Sequence, residues 1–269
     1  MDRQDVCILI NSTPRYFPVL ELQLKLLRRY APKLHWTVFF ATETPSTPFV
    51  KTLQKTYSIE IIPLDASESG FLESREAALR KLPKTYTYVL SLQEDFLLDR
   101  APMYEALAEA CRILDMDRSV GSLRLMPCPG PMEKDPLYHP EMDWKILTED
   151  DTMTFTYQAT LWRVYDLHAY YKLLLTSIEK DFPSATTPEQ KKTIALKMNC
   201  AETHYGQSKL RSNPNVLHLC WNRAGSWANA VYLSPFPYRP TAIVQGKIEP
   251  FAQELSKREG FGELTLGDE

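Results

Sequence analysis

Residues 88–98 place two adjacent carboxylates at the end of an apolar run. The run 88–93 has the character of a buried strand, Glu94 and Asp95 follow it directly, and apolar residues resume at Phe96. Ionised carboxylates that are withdrawn from water must be paired, protonated or bound to a metal ion. Mg²⁺ and Mn²⁺ prefer oxygen ligands, and they commonly bind a protein through one or two carboxylates together with substrate phosphates. The chain must therefore fold so that this acid pair, Glu94 and Asp95, meets a compensating partner.

Strand-like and helix-like segments alternate through the first half of the chain. The predicted strands are residues 6–11, 35–41, 59–63, 88–93 and 120–126, and the predicted helices are residues 19–30, 49–57, 72–82 and 102–115. This alternation predicts an α/β fold with a mostly parallel sheet flanked by helices, in which ligands bind beyond the carboxyl ends of the strands. Asn11 and the acid pair both fall at such ends.

The second half of the chain is less regular. Residues 127–151, rich in proline and acids, read as a long loop, and a long loop within a domain is more often functional than idle. The further predicted elements are a strand at 153–162, a helix at 166–179, a linker at 183–188, a helix at 189–209, a strand at 216–221 and a proline-rich tail that wraps over the surface. We expect a single domain, residues 1–269, with an elaborated C-terminal half.

Composition argues against several classes of partner. The formal net charge of −3 and the pI near 6.0 provide no basic surface for nucleic acid or for a membrane. Five scattered cysteines, with no Cys-x-x-Cys spacing, favour a reducing compartment over a disulfide framework or a zinc site. The first residues lack the features of a secretory signal, and no apolar stretch is long enough to span a bilayer. A cytoplasmic protein is expected.

The spelling Gln-Glu-Asp at 93–95 resembles the acidic motif of GT-A-fold glycosyltransferases, in which carboxylates at a strand end hold a divalent ion against a nucleotide-sugar diphosphate. The resemblance implies Asp95 as a direct ligand of Mn²⁺ or Mg²⁺. It implies Glu94 as a second metal ligand or as a contact to the donor sugar. The motif departs from the usual Asp-x-Asp in its first position, so one ligand is lost or comes from elsewhere. The alternative is an acid pair that caps a loop or pairs with Arg100.

The order of parts upstream also resembles that family. In GT-A enzymes the loop after the first strand cradles the nucleotide base, and a helix before the metal strand carries an arginine. The residues that correspond to the base-binding loop are Asn11, Ser12, Thr13, Arg15 and Tyr16. Arg75, in the stretch Ser-Arg-Glu-Ala-Ala-Leu at 74–79, is implied as a contact to the diphosphate or to the edge of the base. The alternative for Arg75 is an ordinary solvent-facing charge balanced by Glu76.

The segment 155–163 resembles a strand of small bacterial and viral sugar transferases that backs the acceptor pocket. It implies Trp162 as a contact to a sugar ring, because an indole has a flat apolar face and a polar N–H, although a tryptophan at this position also suits a core. An inverting transferase needs a general base near the acceptor hydroxyl, and Glu202 is the candidate by resemblance. The alternative bases on the long loop are Asp143, Asp150 and Asp151.

Two further positions follow from the resemblance. A late histidine completes the metal shell in several GT-A enzymes, which implies His218 as a metal ligand; the alternative is a hydrogen-bonded core residue. Residues 238–247 resemble a terminal segment of the small transferases, and Lys247 or Arg239 would then neutralise the leaving diphosphate. Both cations are also plausible as ordinary surface charges.

The resemblance therefore predicts a metal-dependent, inverting hexosyl- or pentosyltransferase. It would move a sugar from a UDP-, GDP- or dTDP-sugar to a hydroxyl of a glycan or glycoconjugate, with residues 1–126 binding the donor and residues 127–269 binding the acceptor. A non-catalytic binding module with the same shell is a second hypothesis. A sugar-phosphate nucleotidyltransferase is a third, although that class usually opens with a glycine-rich loop and residues 11–16 contain no glycine.

Overall fold

The arrangement of strands and helices is given by a computed structural model, which describes residues 2–148, 153–182, 187, 189–190, 201–223, 233–239 and 241–267. The strands are β1 (Val6–Asn11), β2 (Thr37–Thr42), β3 (Glu60–Pro63), β4 (Tyr88–Gln93), β5 (Leu97–Leu98), β6 (Val120–Arg124), β7 (Trp144–Ile146), β8 (Thr160–Arg163), β9 (Leu217–Trp221), β10 (Tyr238–Arg239), β11 (Ile243–Val244) and β12 (Lys247–Ile248). The α-helices are α1 (Phe17–Tyr30), α2 (Pro48–Tyr57), α3 (Phe71–Lys81), α4 (Tyr104–Met116), α5 (Val164–Asp181), α6 (His204–Leu210) and α7 (Pro250–Arg258).

One large sheet runs through both halves of the chain. Its eight strands lie in the order β3-β2-β1-β4-β8-β6-β9-β7. Strands β7 and β8 run antiparallel to their neighbours, and the other strand pairs of this sheet are parallel. β8, from the second half, thus separates β4 from β6, both from the first half. The predicted α/β fold with a mostly parallel sheet is confirmed.

Alternate residues of the strands supply a core on each face of the sheet. In β1, Val6 and Ile8 pack into the layer that includes α1, α2, α4 and α7, whereas Cys7 and Leu9 pack into the layer that includes α3, α5 and α6. This division follows from the two-residue period of a strand. Because both faces are covered, the central strands are mostly apolar, and the few polar side chains within them include Ser91, Ser122 and His218.

Proline sets the start of several helices. Pro48 is the first residue of α2, where Thr47 precedes it and accepts a hydrogen bond through its side chain from Val50 N–H at 3.4 Å. Pro250 likewise opens α7. Proline is favoured at this position because its missing N–H would have no partner within the helix. α7 was not predicted: the prolines of the tail indicated irregular chain, and one of them instead begins a helix.

The predicted strand at 153–162 is wrong over most of its length, since only β8, from Thr160, is extended. Phe155 explains the difference, because the side-chain amide of Gln207 accepts from its N–H at 2.8 Å and donates to its C=O at 2.7 Å. A side chain thus replaces the neighbouring strand that the backbone would otherwise need. The predicted loop at 127–151 contains β7, which pairs with β9 at the sheet edge.

The predicted helix at 189–209 is only partly described. Its C-terminal end corresponds to α6, which begins at His204, and residues 201–203 form a turn before it. Residues 191–200 and most of the predicted linker lie outside the described residues. In the described part of the chain, no helix is both long enough and apolar enough to cross a bilayer.

Candidate active site

The acid pair lies where the carboxyl ends of β1 and β4 adjoin. Asn11 pairs in register with Gln93, and the acid pair follows Gln93 directly. Asp95 is only 6% exposed, and its Oδ1 is buried with no hydrogen-bond partner among the described residues. The backbone N–H of Ile243 favours the charged form of this carboxyl. Glu94 beside it is partly exposed. One buried carboxylate oxygen of the acid pair is therefore without a hydrogen-bond partner among the described residues.

The pKa values of both members of the acid pair are raised, as expected for buried carboxylates that form no salt bridge. Burial raises the pKa of Asp95 to about 6. Burial, reinforced by the negative charge of Asp95, raises the pKa of Glu94 to about 7. The predicted alternative partner, Arg100, donates to Asp99 at 3.3 Å. Neither member of the acid pair forms a salt bridge with another described residue. A bound cation would favour the charged forms of both carboxyls and so oppose the effect of burial on their pKa values.

Arg75 projects from the first turns of α3 towards this region. Its guanidinium lies 3.6 Å from the ring centroid of Phe71 and 5.3 Å from that of Tyr157, and it donates to the Phe71 carbonyl at 2.9 Å. Its positive charge lowers the pKa of both Glu94 and Glu202. Arg75 therefore lies close enough to Glu94 and to Glu202 to act on both electrostatically.

Glu76, the alternative partner of Arg75, is engaged elsewhere. It accepts a hydrogen bond from Arg80 at 3.4 Å, and its Oε1 lies 2.8 Å from Nε2 of His168 on α5. The positive charge of Arg75 is thus directed at the acid pair and at Glu202 rather than at its neighbour in the helix.

The loop after β1 is fixed by backbone contacts. Asn11 donates through Nδ2 to the Ser74 carbonyl at 3.2 Å, which ties the end of β1 to α3. Ser12 donates through its N–H to the Ala41 carbonyl at 3.3 Å. Thr13 precedes a single 3-10 turn, Pro14–Tyr16. The structure thus brings Asn11, Ser12 and Thr13 to the carboxyl ends of the strands, where the acid pair also lies.

Arg15 and Tyr16, the remaining residues of the predicted base-binding loop, contact the C-terminal part of the chain and each other. The Arg15 carbonyl accepts from Gly267 N–H at 2.8 Å, and its guanidinium carbon lies 6.0 Å from the Tyr16 ring centroid. A Cβ at Gly267 would lie 2.9 Å from the Pro14 carbonyl oxygen, so the tail runs close against this loop.

Glu202 is held by a residue that lies far away in the sequence. Its Oε1 accepts from the backbone N–H of Tyr157 at 2.7 Å. Burial raises the pKa of Glu202, while this hydrogen bond and the charges of Arg124 and Arg75 lower it. Burial thus makes this carboxylate a better proton acceptor, whereas the hydrogen bond and the two cations favour its ionised form.

Of the three alternative bases, Asp143 is the one that the structure describes, and it lies apart from this group. Asp143 accepts from Arg223 at 2.8 Å beside β7, at the edge of the sheet, with β8, β6 and β9 between β7 and β4. The prediction of Asp143 as a base is therefore wrong on position. Asp150 and Asp151 lie outside the described residues.

Trp162 and His218 lie towards the opposite end of the sheet from the acid pair. The register aligns His218 with Ser122, Trp162 and Val89. Val89 is six residues before Asp95, a distance of roughly 20 Å along an extended chain. The structure thus brings neither Trp162 to an acceptor pocket nor His218 to the acid pair.

Both rings are buried and packed against other groups. Trp162 is 2% exposed, and Nδ1 of His218 lies 2.8 Å from the Ser122 hydroxyl. Burial lowers the pKa of His218 to about 4, so its ring is neutral near pH 7. The structure fits the alternatives given for these two residues, a core tryptophan and a hydrogen-bonded core histidine. A groove of about 200 Å³ lies beside them, between α5 and residues 209–216.

A C-terminal hairpin covers the acid pair. β11 and β12 are joined by Gln245 and Gly246, which both have positive φ (50° and 73°), as in a type I′ turn. The Ala242 N–H donates to the Asp95 carbonyl at 3.2 Å. Lys247 lies exposed on β12, on a hairpin whose turn approaches Arg15. The hairpin thus brings a cation near the β1 loop.

Arg239, the other cation of the tail, is already engaged. Its Nε lies 3.4 Å from Asp99 and its guanidinium carbon 5.4 Å from the Phe251 ring centroid. Of the two predicted partners for a leaving diphosphate, Lys247 is therefore the better placed.

The donor set fits a hard divalent ion held partly by substrate. The described residues contain no group of three or more His, Cys, Asp or Glu side chains that could hold a metal by themselves. The buried, unpartnered Oδ1 of Asp95 and the neighbouring Glu94 supply oxygen ligands, which suits Mg²⁺ or Mn²⁺ with diphosphate and water completing the shell. The predicted third ligand, His218, is not part of this set.

Two aromatic residues of the site were not predicted. Phe71 and Tyr157 flank Arg75; Tyr157 lies in the segment 155–163 that resembles an acceptor-pocket strand, but neither residue was singled out as a contact. Tyr238 also contributes: its ring stacks on Phe96 at 4.3 Å and its hydroxyl accepts from the Ala159 N–H at 2.9 Å. The only available signal was the position of Phe71 four residues before Arg75, which is one helical turn.

Comparison with known proteins gives distant structural similarities only. No family model matches the chain, and no curated protein matches it in sequence. Among solved structures, the chain is similar to the apo-form glycosyltransferase GlyE of Streptococcus pneumoniae TIGR4, with 9% identity, a TM-score of 0.48, and coverage of 95% of this chain and 60% of GlyE.

Two other solved structures represent different reactions. One is S. aureus TarS 1-349 in complex with UDP, with 14% identity, a TM-score of 0.43, and coverage of 81% of this chain and 57% of that one. The other is 4-diphosphocytidyl-2C-methyl-D-erythritol synthase from Anaerococcus prevotii DSM 20548, with 14% identity, a TM-score of 0.42, and coverage of 65% and 78%. At this distance the similarities assign neither a family nor a reaction to the chain.

Proposed function

We propose that the protein is a metal-dependent glycosyltransferase that uses a nucleotide-sugar donor and a hydroxyl acceptor. The observation that carries the proposal is the buried, unpartnered Oδ1 of Asp95 at the adjoining ends of β1 and β4. Leaving a buried carboxylate oxygen unpaired is costly, and such groups are found where a ligand compensates them. The donor side would consist of residues 1–126, and the acceptor side of residues 127–269.

The roles of the side chains follow from their positions. Asp95 and Glu94 hold Mn²⁺ or Mg²⁺, which supplies Lewis-acid stabilisation of the departing diphosphate when it is bound. Asn11, Ser12 and Thr13 offer polar groups to the nucleotide. Arg15, Tyr16 and Lys247 lie at or near the loop after β1. The two cations among them, Arg15 and Lys247, would offset the negative charge of the nucleoside diphosphate as it leaves.

Glu202 is the proposed general base. As the acceptor oxygen forms its bond to the anomeric carbon and the bond from that carbon to the diphosphate breaks, Glu202 takes the hydroxyl proton. The Tyr157 N–H fixes one of its oxygens, and Arg75 favours its ionised form before the reaction. This arrangement implies inversion, because a single displacement needs one base and no covalent intermediate.

The test is thermal denaturation with UDP, GDP and dTDP, each with and without Mn²⁺. A nucleotide that binds only the native state at about 100 times its Kd stabilises it by about 2.7 kcal/mol, which raises Tm by several degrees. We expect one nucleotide to act, only with the metal, and Asp95→Asn to abolish the effect. Asp99→Asn, on the other side of the short strand β5, is the matched control that keeps it. No shift across the whole panel would instead support the non-catalytic module.

A further inference from the structure

Phe71 is an exposed aromatic residue at the mouth of the proposed site. It is the first residue of α3, and 42% of it is exposed. Its ring meets that of Tyr157 edge to face, with centroids 5.1 Å apart and an interplanar angle of 81°. We call these two residues the aromatic platform. Phe71 is the exposed part of the platform, and Tyr157 is partly buried against the core behind it.

The aromatic platform is held rigid by Arg75. The guanidinium carbon lies 3.6 Å from the Phe71 centroid and 5.3 Å from that of Tyr157, and the side chain also donates to the Phe71 carbonyl. Cation–π contacts of this kind favour one ring orientation. A ring that is already ordered loses little conformational entropy when a ligand stacks on it. The platform is therefore prepared for a flat partner before any partner arrives.

Tyr157 connects the aromatic platform to Glu202. Tyr157 contributes its ring to the platform and its backbone N–H to Glu202 Oε1, at 2.7 Å. Arg75, which contacts both rings, also acts electrostatically on Glu202 and on Glu94. A ligand lying on the platform would thus be beside the residue that anchors the proposed base.

The chemistry of this surface fits a pyranose ring. A sugar presents an apolar face of C–H groups that stacks on aromatic rings, while its hydroxyls need carboxylate and guanidinium partners around the edge. A nucleotide base would also stack, but the polar residues expected to bind the base follow β1, and the platform lies on α3 and on the loop before β8.

We propose that Phe71 and Tyr157 form the subsite for the pyranose ring of the acceptor, and that they direct one of its hydroxyls to Glu202. This inference rests on the proposed function above and names the acceptor as a sugar. It replaces Trp162, the predicted sugar contact, with two residues that are accessible.

Direct binding is measured by saturation-transfer NMR with methyl β-D-glucopyranoside, methyl β-D-galactopyranoside and methyl N-acetyl-β-D-glucosaminide, with uridine as the competing class. We expect transfer to the ring C–H protons of at least one glycoside. Phe71→Ala should weaken its binding by about fivefold, and Phe71→Trp should preserve it. Tyr165→Ala, which removes an aromatic side chain that is 79% exposed on α5, is the matched control and should have no effect.

Kinetics give the second measurement. With the donor identified by thermal denaturation, Phe71→Ala should raise the acceptor KM by about fivefold, leave kcat within about twofold, and leave the nucleotide-dependent rise in Tm unchanged. Because Phe71 is exposed, the variant is expected to fold.

Several results would overturn the inference. They are equal glycoside binding by wild type and Phe71→Ala, Phe71-dependent binding of uridine alone, and the absence of any glycoside signal. Failure of the proposed function is distinguishable, because it would appear as a missing nucleotide effect while Phe71-dependent glycoside binding persisted.

Discussion

The carboxylates at the two ends of β4 have opposite environments. At the amino end, Asp115 accepts hydrogen bonds from the Tyr88 hydroxyl at 2.9 Å and from Arg3 at 2.6 Å, and these partners lower its pKa. At the carboxyl end, the pKa values of Glu94 and Asp95 are raised by burial. One strand thus carries a fully satisfied ion network at one end and an unsatisfied acid pair at the other. The difference separates a carboxylate that holds the fold together from carboxylates kept available for a ligand.

Removing the carboxylate at the unsatisfied end should have the largest effect on activity. Asp95→Ala is expected to lower kcat/KM by at least about 10³-fold, because one ligand of the divalent ion and its charge are lost. Its free energy of unfolding in urea should not fall, since an unpaired buried charge is also removed. Retained activity in a folded variant would remove the metal-site assignment.

Glu202→Gln should lower kcat by about 10²-fold or more, since an amide accepts no proton from the acceptor. The amide oxygen can still accept from the Tyr157 N–H, so the local structure and the acceptor KM should change little. Steady-state kinetics with varied acceptor separate the two parameters. A variant with raised KM and unchanged kcat would assign Glu202 to binding only.

The two ends should also respond to pH with opposite sign. The folded-state pKa values of the acid pair, about 7 and 6, lie above the ordinary values of 4.5 and 3.8. The folded state therefore binds more protons, and the acid pair makes the protein more stable as pH falls from about 7 to about 4. Asp95→Asn should flatten this trend, by at most about 1.4 kcal/mol per pH unit. Mn²⁺ with the nucleotide should oppose it, because the metal competes with protons.

At the amino end the sign is reversed. The pKa of Asp115 is lowered in the folded state, so its contribution is present above the unfolded value and is lost as pH falls through the folded one. Asp115→Asn should destabilise the protein by about 1 kcal/mol near neutral pH, because this network is partly exposed and screened. Urea denaturation measures the loss. The nucleotide-dependent rise in Tm should be unchanged, which would sharpen the contrast between the two ends.

The smallest expected effect concerns Tyr157. Its hydroxyl is buried and has no hydrogen-bond partner among the described residues. Tyr157→Phe keeps the ring and the backbone N–H, so activity should be retained and the free energy of unfolding should stay equal or rise by about 1 kcal/mol. A loss of stability or of kcat would show that the hydroxyl has a partner in the working protein.

The alternation of strand-like and helix-like segments in the sequence predicted the part of the site that depends only on the order of the strands. Asn11 and the acid pair follow neighbouring parallel strands, and their meeting is a consequence of the α/β architecture. Arg75 was named from the resemblance, and the structure places it near Glu94, while its role stays a prediction. Apolar runs and prolines predicted most elements of the first half within a few residues.

The remaining errors come from long-range pairing. Trp162 and His218 were named as site residues through the family resemblance, with a core role as the alternative, and the register of β8 and β9 does not bring them to the acid pair. The contact between Glu202 and Tyr157 joins residues 45 positions apart. The periodicity of apolar residues gives no information about such a long-range contact. The same is true of the Gln207 side chain, which takes the place of a neighbouring strand at Phe155.

The position of β8 has a consequence for how this chain can be divided. β8 belongs to the second half, yet it lies between β4 and β6 of the first half. A gene split after residue 126 would encode a fragment whose two inner strands face an empty slot with unpaired backbone groups on both sides. Such a fragment should aggregate when produced alone and recover when its complement is produced with it. Exchange of one half with a relative would likewise require the exchanged strand to fit both of its new neighbours.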